Sequence, residues 1–147
     1  MSYSVDVNVL LYASDQANPR NEKAIQFLHS RALDPELFCI AWSTVMAYIR
    51  LSTHPSIFSH PLSPEEALGN VENLLDLPRV RVLSEDDDFL VMYRKVVSKF
   101  PVRGNLVPDA HLAVLLLQHG VRKIYTADTD FSFFIDQTGR FSSRRLG

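Results

Sequence analysis

Tyr3-Ser4-Val5-Asp6-Val7-Asn8-Val9 runs straight into Leu10-Leu11-Tyr12-Ala13. The first seven residues are rich in β-branched and aromatic side chains, and the next four carry no charge. This predicts a short buried strand, Tyr3 to Val9, passing into a helical turn. Two polar residues, Asp6 and Asn8, interrupt that strand. Two positions apart on a strand, they share one face.

The same alternation continues downstream. Asn18-Pro19 reads as a helix start, with proline tolerated in the first turn. Ala24, Ile25, Phe27, Leu28 and Ala32 then supply an apolar face at helical spacing. Leu37 to Trp42 is a second apolar strand. Ser43 caps a helix through Leu51, and Thr53-His54-Pro55 stops it. Ser63-Pro64-Glu65-Glu66 carries a cap, a proline at the first helical position and a capping-box glutamate, so a helix is expected to about Leu75. Val80 to Leu83 is a third strand. Ser84-Glu85-Asp86-Asp87 puts acidic side chains where the positive end of a helix dipole favours them. Val107-Pro108-Asp109 opens a very apolar helix that Gly120 ends after His119. Arg122 to Ala127 is a fourth strand, with a short helix expected from Asp130 to Ile135. Phe141 to Arg145 is polar and leaves a fifth strand open. Strands alternating with helices imply an α/β fold with a parallel sheet covered on both faces, and such sheets bind ligands at the carboxyl ends of their strands.

The 147 residues suit one domain spanning 1–147, with a 46% hydrophobic and 22% charged composition that is ordinary for a globular chain. A formal charge of −2 argues against holding a polynucleotide by overall charge, so a local basic rim or a bound cation has to do it. The single cysteine, Cys39, excludes an intrachain disulfide framework and a cysteine-based zinc site. Apolar stretches such as Leu112 to Leu117 fall far short of the roughly 20 residues that span a membrane. Met1 to Ser4 has no basic region ahead of an apolar core, so no signal peptide is expected.

Asp6, Asp109, Asp128 and Asp130 all fall where a parallel sheet gathers its strand ends. Taken singly, each reads most simply as a cap or turn residue. Taken together, they repel: two unit charges about 4 Å apart cost about 4 kcal/mol at an effective dielectric near 20. Such a cluster takes up protons or binds a cation. An all-oxygen set without cysteine or a histidine pair suits Mg2+ or Mn2+. Such ions activate water for attack on a phosphodiester.

The ordered segments Val5 to Ala13, Trp42 to Pro55, Gly104 to Ala113 and Thr126 to Phe131 resemble the PIN-domain family, and within it the VapC-type toxins of bacterial toxin–antitoxin pairs. The resemblance implies a three-layer α/β/α sandwich with a central parallel sheet and a Mg2+- or Mn2+-dependent endoribonuclease. By position, Asp6, Asp109 and Asp128 become the metal-site residues and Asp130 an assisting acid. Asn8 matches a polar position supporting the first aspartate, and Thr126 a hydroxyl that orients the site. The resemblance further implies an RNA substrate, a VapB-type antitoxin, a homodimer, and a cytoplasmic protein without a membrane anchor. One departure stands out: many relatives carry a glutamate three residues before the position of Arg50, where this chain has Ala47.

Other polar residues are read against simpler roles. Arg50 suits contact with RNA phosphate or an antitoxin carboxylate, and equally an exposed helix position. His54 is a helix stop. His111, two residues beyond Asp109, is expected to point away from it. Glu85 to Asp88 reads as a solvated helix start, and Lys95, Lys99 and Arg103 as a solvated face. Trp42, Phe27, Leu112, Leu115 and Leu116 are expected in the core, while Tyr48, Phe58 and Phe89 suit either core or a partner surface. Two alternatives to the nuclease are a non-cleaving PIN-like module binding RNA or protein, favoured by Ala47, and a haloacid-dehalogenase-like phosphatase. The phosphatase begins with Asp-x-Asp, and Asn8 lacks the acid that this requires.

Overall fold

The computed structural model describes residues 1–99 and 101–126 and the backbone of 142–145. Five parallel strands, β1 (Ser2–Val5), β2 (Leu37–Ala41), β3 (Val80–Leu83), β4 (Lys123–Thr126) and β5 (Ser142–Arg145), form one sheet in the order β3-β2-β1-β4-β5. Six helices accompany them among the described residues: α1 (Val7–Ser14), α2 (Asn21–Ala32), α3 (Trp42–Ser52), α4 (Pro64–Leu75), α5 (Phe89–Val97) and α6 (Leu106–Gln118). The fifth strand forms on the sheet edge beside β4. An edge needs hydrogen bonds on one side only and tolerates polar, charged sequence.

Successive strand residues point to opposite faces, and the core divides accordingly. Phe38, Ile40 and Tyr125 join one buried cluster, which α1 to α4 complete with Val9, Leu10, Leu11, Val45 and Tyr48. Cys39, Ala41 and Ile124 join the other, against Ala113, Leu115 and Leu116 of α6, with Phe89, Met92 and Tyr93 of α5 packed around it. The result is the three-layer α/β/α sandwich expected from the sequence.

Several element ends follow local signals. Ser63 accepts from the Glu66 N–H while the Glu66 side chain accepts from the Ser63 N–H, a complete capping box ahead of Pro64. Gly120, at φ 72°, closes α6. There the Val121 N–H reaches the Leu116 carbonyl at 2.8 Å and the Gly120 N–H the Leu117 carbonyl at 3.1 Å. A side chain at that left-handed position would be strained, so glycine belongs there.

Three expectations need correction. The first strand ends at Val5, not Val9, and Val7 opens α1, so Asn8 is a helical residue and shares no strand face with Asp6. Burying Val9, Leu10 and Leu11 outweighs the weak strand preference of the β-branched residues. The second helix starts at Asn21, because Asn18 and Pro19 form a turn in which the Asn18 side chain accepts the Arg20 N–H. Finally, Ser84 to Asp88 is not helical, and α5 begins at Phe89. The acidic run is drawn instead to α6: the Asp86 N–H donates to Gln118, whose amide donates to Asp88.

Candidate active site

From β1 the chain proceeds to β2 and β3 on one side, then crosses back to β4 on the other. The crevice between the carboxyl ends of β1 and β4 is therefore the switch point at which open parallel sheets bind ligands. Asp6 follows β1 directly and Thr126 ends β4. The pairing of Val5 with Tyr125 brings the two level, and the Asp6 N–H donates to the Tyr125 carbonyl at 2.9 Å.

Asp6 occupies the N-cap position of α1, yet its side chain makes no cap hydrogen bond. Its Oδ2 accepts from the hydroxyl of Thr126 at 2.9 Å. Thr126 is completely buried and Asp6 partly so, so the donor side of this bond is closed to water. The carboxylate is thereby fixed at the sheet edge.

Asp6 and Val7 form one wall of a small cleft of about 120 Å³, and Ser43, Thr44 and Ala47 of α3 form the second. Pro108, Asp109, His111 and Leu112 of α6 form the third. Asp109 lies in the first turn of α6, where the helix dipole favours a negative charge. Pro108 fits beside it because first-turn N–H groups have no intrahelical partner to lose.

The structure thus brings Asp6 and Asp109 to one cleft and ties Thr126 to Asp6. Asp128 and Asp130 lie outside the described residues. Asn8, half-buried on α1, and Arg50, exposed near the end of α3, are not among the residues lining the cleft. Ala47 does line it, so a methyl group stands on the wall where the resemblance leads one to expect a carboxylate.

Among the described residues no three His, Cys, Asp or Glu side chains converge as a metal site. The two aspartates that line the cleft are oxygen donors whose chemistry fits a hard divalent cation.

His111 departs from expectation, since it borders the same cleft as Asp109. The two residues diverge around the helix axis, but the cleft wraps the first turns of α6. Across from it, Glu85 accepts a hydrogen bond from the imidazole. That bond is the main reason the Glu85 carboxyl is held below its ordinary value. The ring of Phe89 meets His111 edge-on at 5.3 Å. The sequence signal was Glu85 itself, hidden within an acidic run. Trp42, expected in the core, is 49% exposed, while Tyr48 and Phe58 are buried.

The PIN-domain profile matches residues 3–134. Ribonuclease VapC48 of Mycobacterium tuberculosis is 39% identical over 134 residues, covering 91% of this chain and 92% of the relative. Ribonuclease VapC43 of the same species is 33% identical over 131 residues, covering 88% of each. Among solved structures, VapBC2 from Rickettsia felis, bound to a promoter DNA fragment, superposes with a TM-score of 0.67 at 12% identity, covering 99% of this chain and 98% of that one. VapC20 of M. tuberculosis, described as a Sarcin-Ricin loop cleaving toxin, gives 0.67 at 18% identity, covering 90% and 94%. These two likenesses agree on the sandwich found here. With the profile spanning nearly the whole chain and VapC ribonucleases alike along nine-tenths of it, the protein belongs to the PIN-domain family.

Proposed function

We propose that this chain is a VapC-type endoribonuclease, the toxin of a toxin–antitoxin pair, which hydrolyses RNA phosphodiesters at the Asp6–Asp109 cleft with Mg2+ or Mn2+. The observation that carries the reading is that Asp6 and Asp109, from distant parts of the chain, border one cleft beside the carboxyl end of β1. The names of the VapC relatives support it.

Asp6 and Asp109 are the carboxylates that would hold the cation, with Asp128 as a third and Asp130 assisting. A bound divalent ion supplies an acidified water and positive charge against the phosphate oxygens. The protein's part is positional. Thr126 fixes the rotation of the Asp6 carboxylate through its hydroxyl. The first turn of α6 holds Asp109 against the same cleft. Ser43 offers a hydroxyl to a phosphate oxygen at the α3 wall. A VapB-type antitoxin and a homodimer complete the proposal, and an RNA substrate fits a cytoplasmic location.

The test is cleavage of a mixed RNA pool by the purified chain, with Mg2+ or Mn2+ and with chelator. Cleavage is expected only with the metal and is expected to vanish in Asp109→Asn. Unchanged cleavage by a folded Asp109→Asn protein would remove the assignment. Ala47 on the cleft wall favours a second reading, a module that binds RNA or protein without cutting. Metal-independent binding with no cleavage at any divalent concentration would select it.

A further inference from the structure

We infer that Nδ1 of His111 accepts a hydrogen bond from a ribose 2′-hydroxyl of the strand bound in the cleft, making His111 a residue that selects RNA over DNA, a proposal that rests on the ribonuclease reading above. His111 lines the cleft with Asp6 and Asp109, and its side chain is partly exposed. Its Nε2 is bonded to the Glu85 carboxylate. That carboxyl is held below its ordinary value, so at neutral pH it is an anion and only accepts. The ring hydrogen therefore sits on Nε2. In the neutral imidazole this leaves Nδ1 with a bare lone pair, which accepts and cannot donate. Nδ1 has no hydrogen-bond partner among the described residues.

The fold holds this tautomer in place. Phe89 meets the imidazole edge-on at 5.3 Å. The loop that carries Glu85 is strapped along α6: His119 Nε2–H donates to the Ser84 carbonyl at 2.7 Å, and the Asp86 N–H donates to the Gln118 side chain at 3.2 Å. Gln118 and His119 lie about two turns beyond His111, so the helix that bears the imidazole also fixes its carboxylate partner. RNA supplies the matching donor. The hydroxyl nearest a scissile phosphate is the 2′-OH vicinal to its bridging 3′-oxygen. A phosphate held at Asp6 and Asp109 in a cleft of about 120 Å³ brings that hydroxyl to the α6 wall. The 2′-OH is the group by which a protein tells RNA from DNA at a given site. With DNA, Nδ1 would give up its water and meet a methylene instead, and a site built to bond a hydroxyl rejects the analogue that lacks it. The Ser43 hydroxyl on the opposite wall both donates and accepts, so it does not demand a donor in this way.

The test maps a cut in a mixed RNA pool with the full-length chain and Mg2+ or Mn2+, then remakes that RNA with one altered ribose on the 5′ side of the cut. The altered sugar is 2′-deoxy, which lacks the hydroxyl, or 2′-fluoro, which keeps a substituent but donates nothing. Single-turnover cleavage of both is expected to be about tenfold slower than that of the ribose strand. Affinity of the same strands for the Asp109→Asn chain, read by anisotropy of an end label, should show the same order. His111→Gln reaches Glu85 but places no acceptor where Nδ1 stands, so it should cut the ribose strand about tenfold more slowly and lose the preference. His111→Asn carries its carbonyl on Cγ, as Nδ1 is carried, and should keep most of the preference. A merely structural role for His111 predicts the reverse, since Gln preserves the Glu85 contact and Asn does not. Equal cleavage of the 2′-fluoro and ribose strands, a full preference in His111→Gln, or its loss in His111→Asn alone overturns the proposal and leaves the ribonuclease reading standing. Absence of metal-dependent cleavage of any RNA defeats both.

Discussion

Thr126 and Asp6 stand 120 positions apart in the chain, yet the threonine hydroxyl donates to the aspartate carboxylate within the buried sheet edge. Thr126→Val keeps the β-branched shape and removes the donor. Losing a hydrogen bond to a charged group is expected to cost about 1.5–3 kcal/mol of stability. Cleavage should fall about tenfold or more as Asp6 loses its fixed orientation. Thr126→Ser should restore most of both. Urea denaturation and RNA cleavage on the three proteins check this, and equal activity in the valine variant would show that Asp6 is oriented by other means.

Ala47 offers a gain-of-charge test. Ala47→Glu adds a carboxylate to a cleft already bordered by Asp6 and Asp109. Divalent affinity is expected to tighten about tenfold, because another negative charge a few ångströms from the ion strengthens the attraction. Calorimetric titration with Mn2+ on both proteins measures it. Equal affinities would mean that the wall of α3 does not face the ion.

The Glu85–His111 pair gives a pH dependence of known sign. The Glu85 carboxyl lies below its ordinary 4.5 in the folded protein, chiefly through the His111 hydrogen bond. Its contribution to stability is therefore complete above that value and disappears as pH falls through the depressed folded value. Both side chains are partly exposed, at 35% and 40%, so solvent screening keeps the effect below about 1 kcal/mol. Glu85→Gln should accordingly lower stability slightly at neutral pH and match the parent at strongly acid pH. Denaturation midpoints across an acid pH series test it.

The capping box at the start of α4 is a purely local prediction. Ser63→Ala removes the acceptor for the Glu66 N–H and should cost about 1 kcal/mol without affecting RNA cleavage. A midpoint shift with unchanged turnover is the expected result.

That box was legible in the sequence because all its partners lie within four residues. Gly120 was legible for the same reason: a helix that must stop needs a residue tolerating positive φ. The alternating apolar strands and helices sufficed for the parallel sandwich, and the aspartates at strand ends marked where to look for a site. Val7-Asn8-Val9 misled, since β-branched residues carry only a weak strand preference and packing of α1 decided against it. The acidic run before Phe89 misled because its partners, His111 and Gln118, come from α6.

The sequence by itself determined the order of elements, their caps and the polar residues at their ends, since these depend on neighbours a turn or a strand step apart. Tertiary structure alone decided that Asp6 meets Thr126, that Ala47 and His111 share a cleft with Asp109, and that Trp42 faces outward. Those relations arise where β1 and β4 are brought side by side and α3 and α6 close over their ends, contacts between segments that no local pattern encodes.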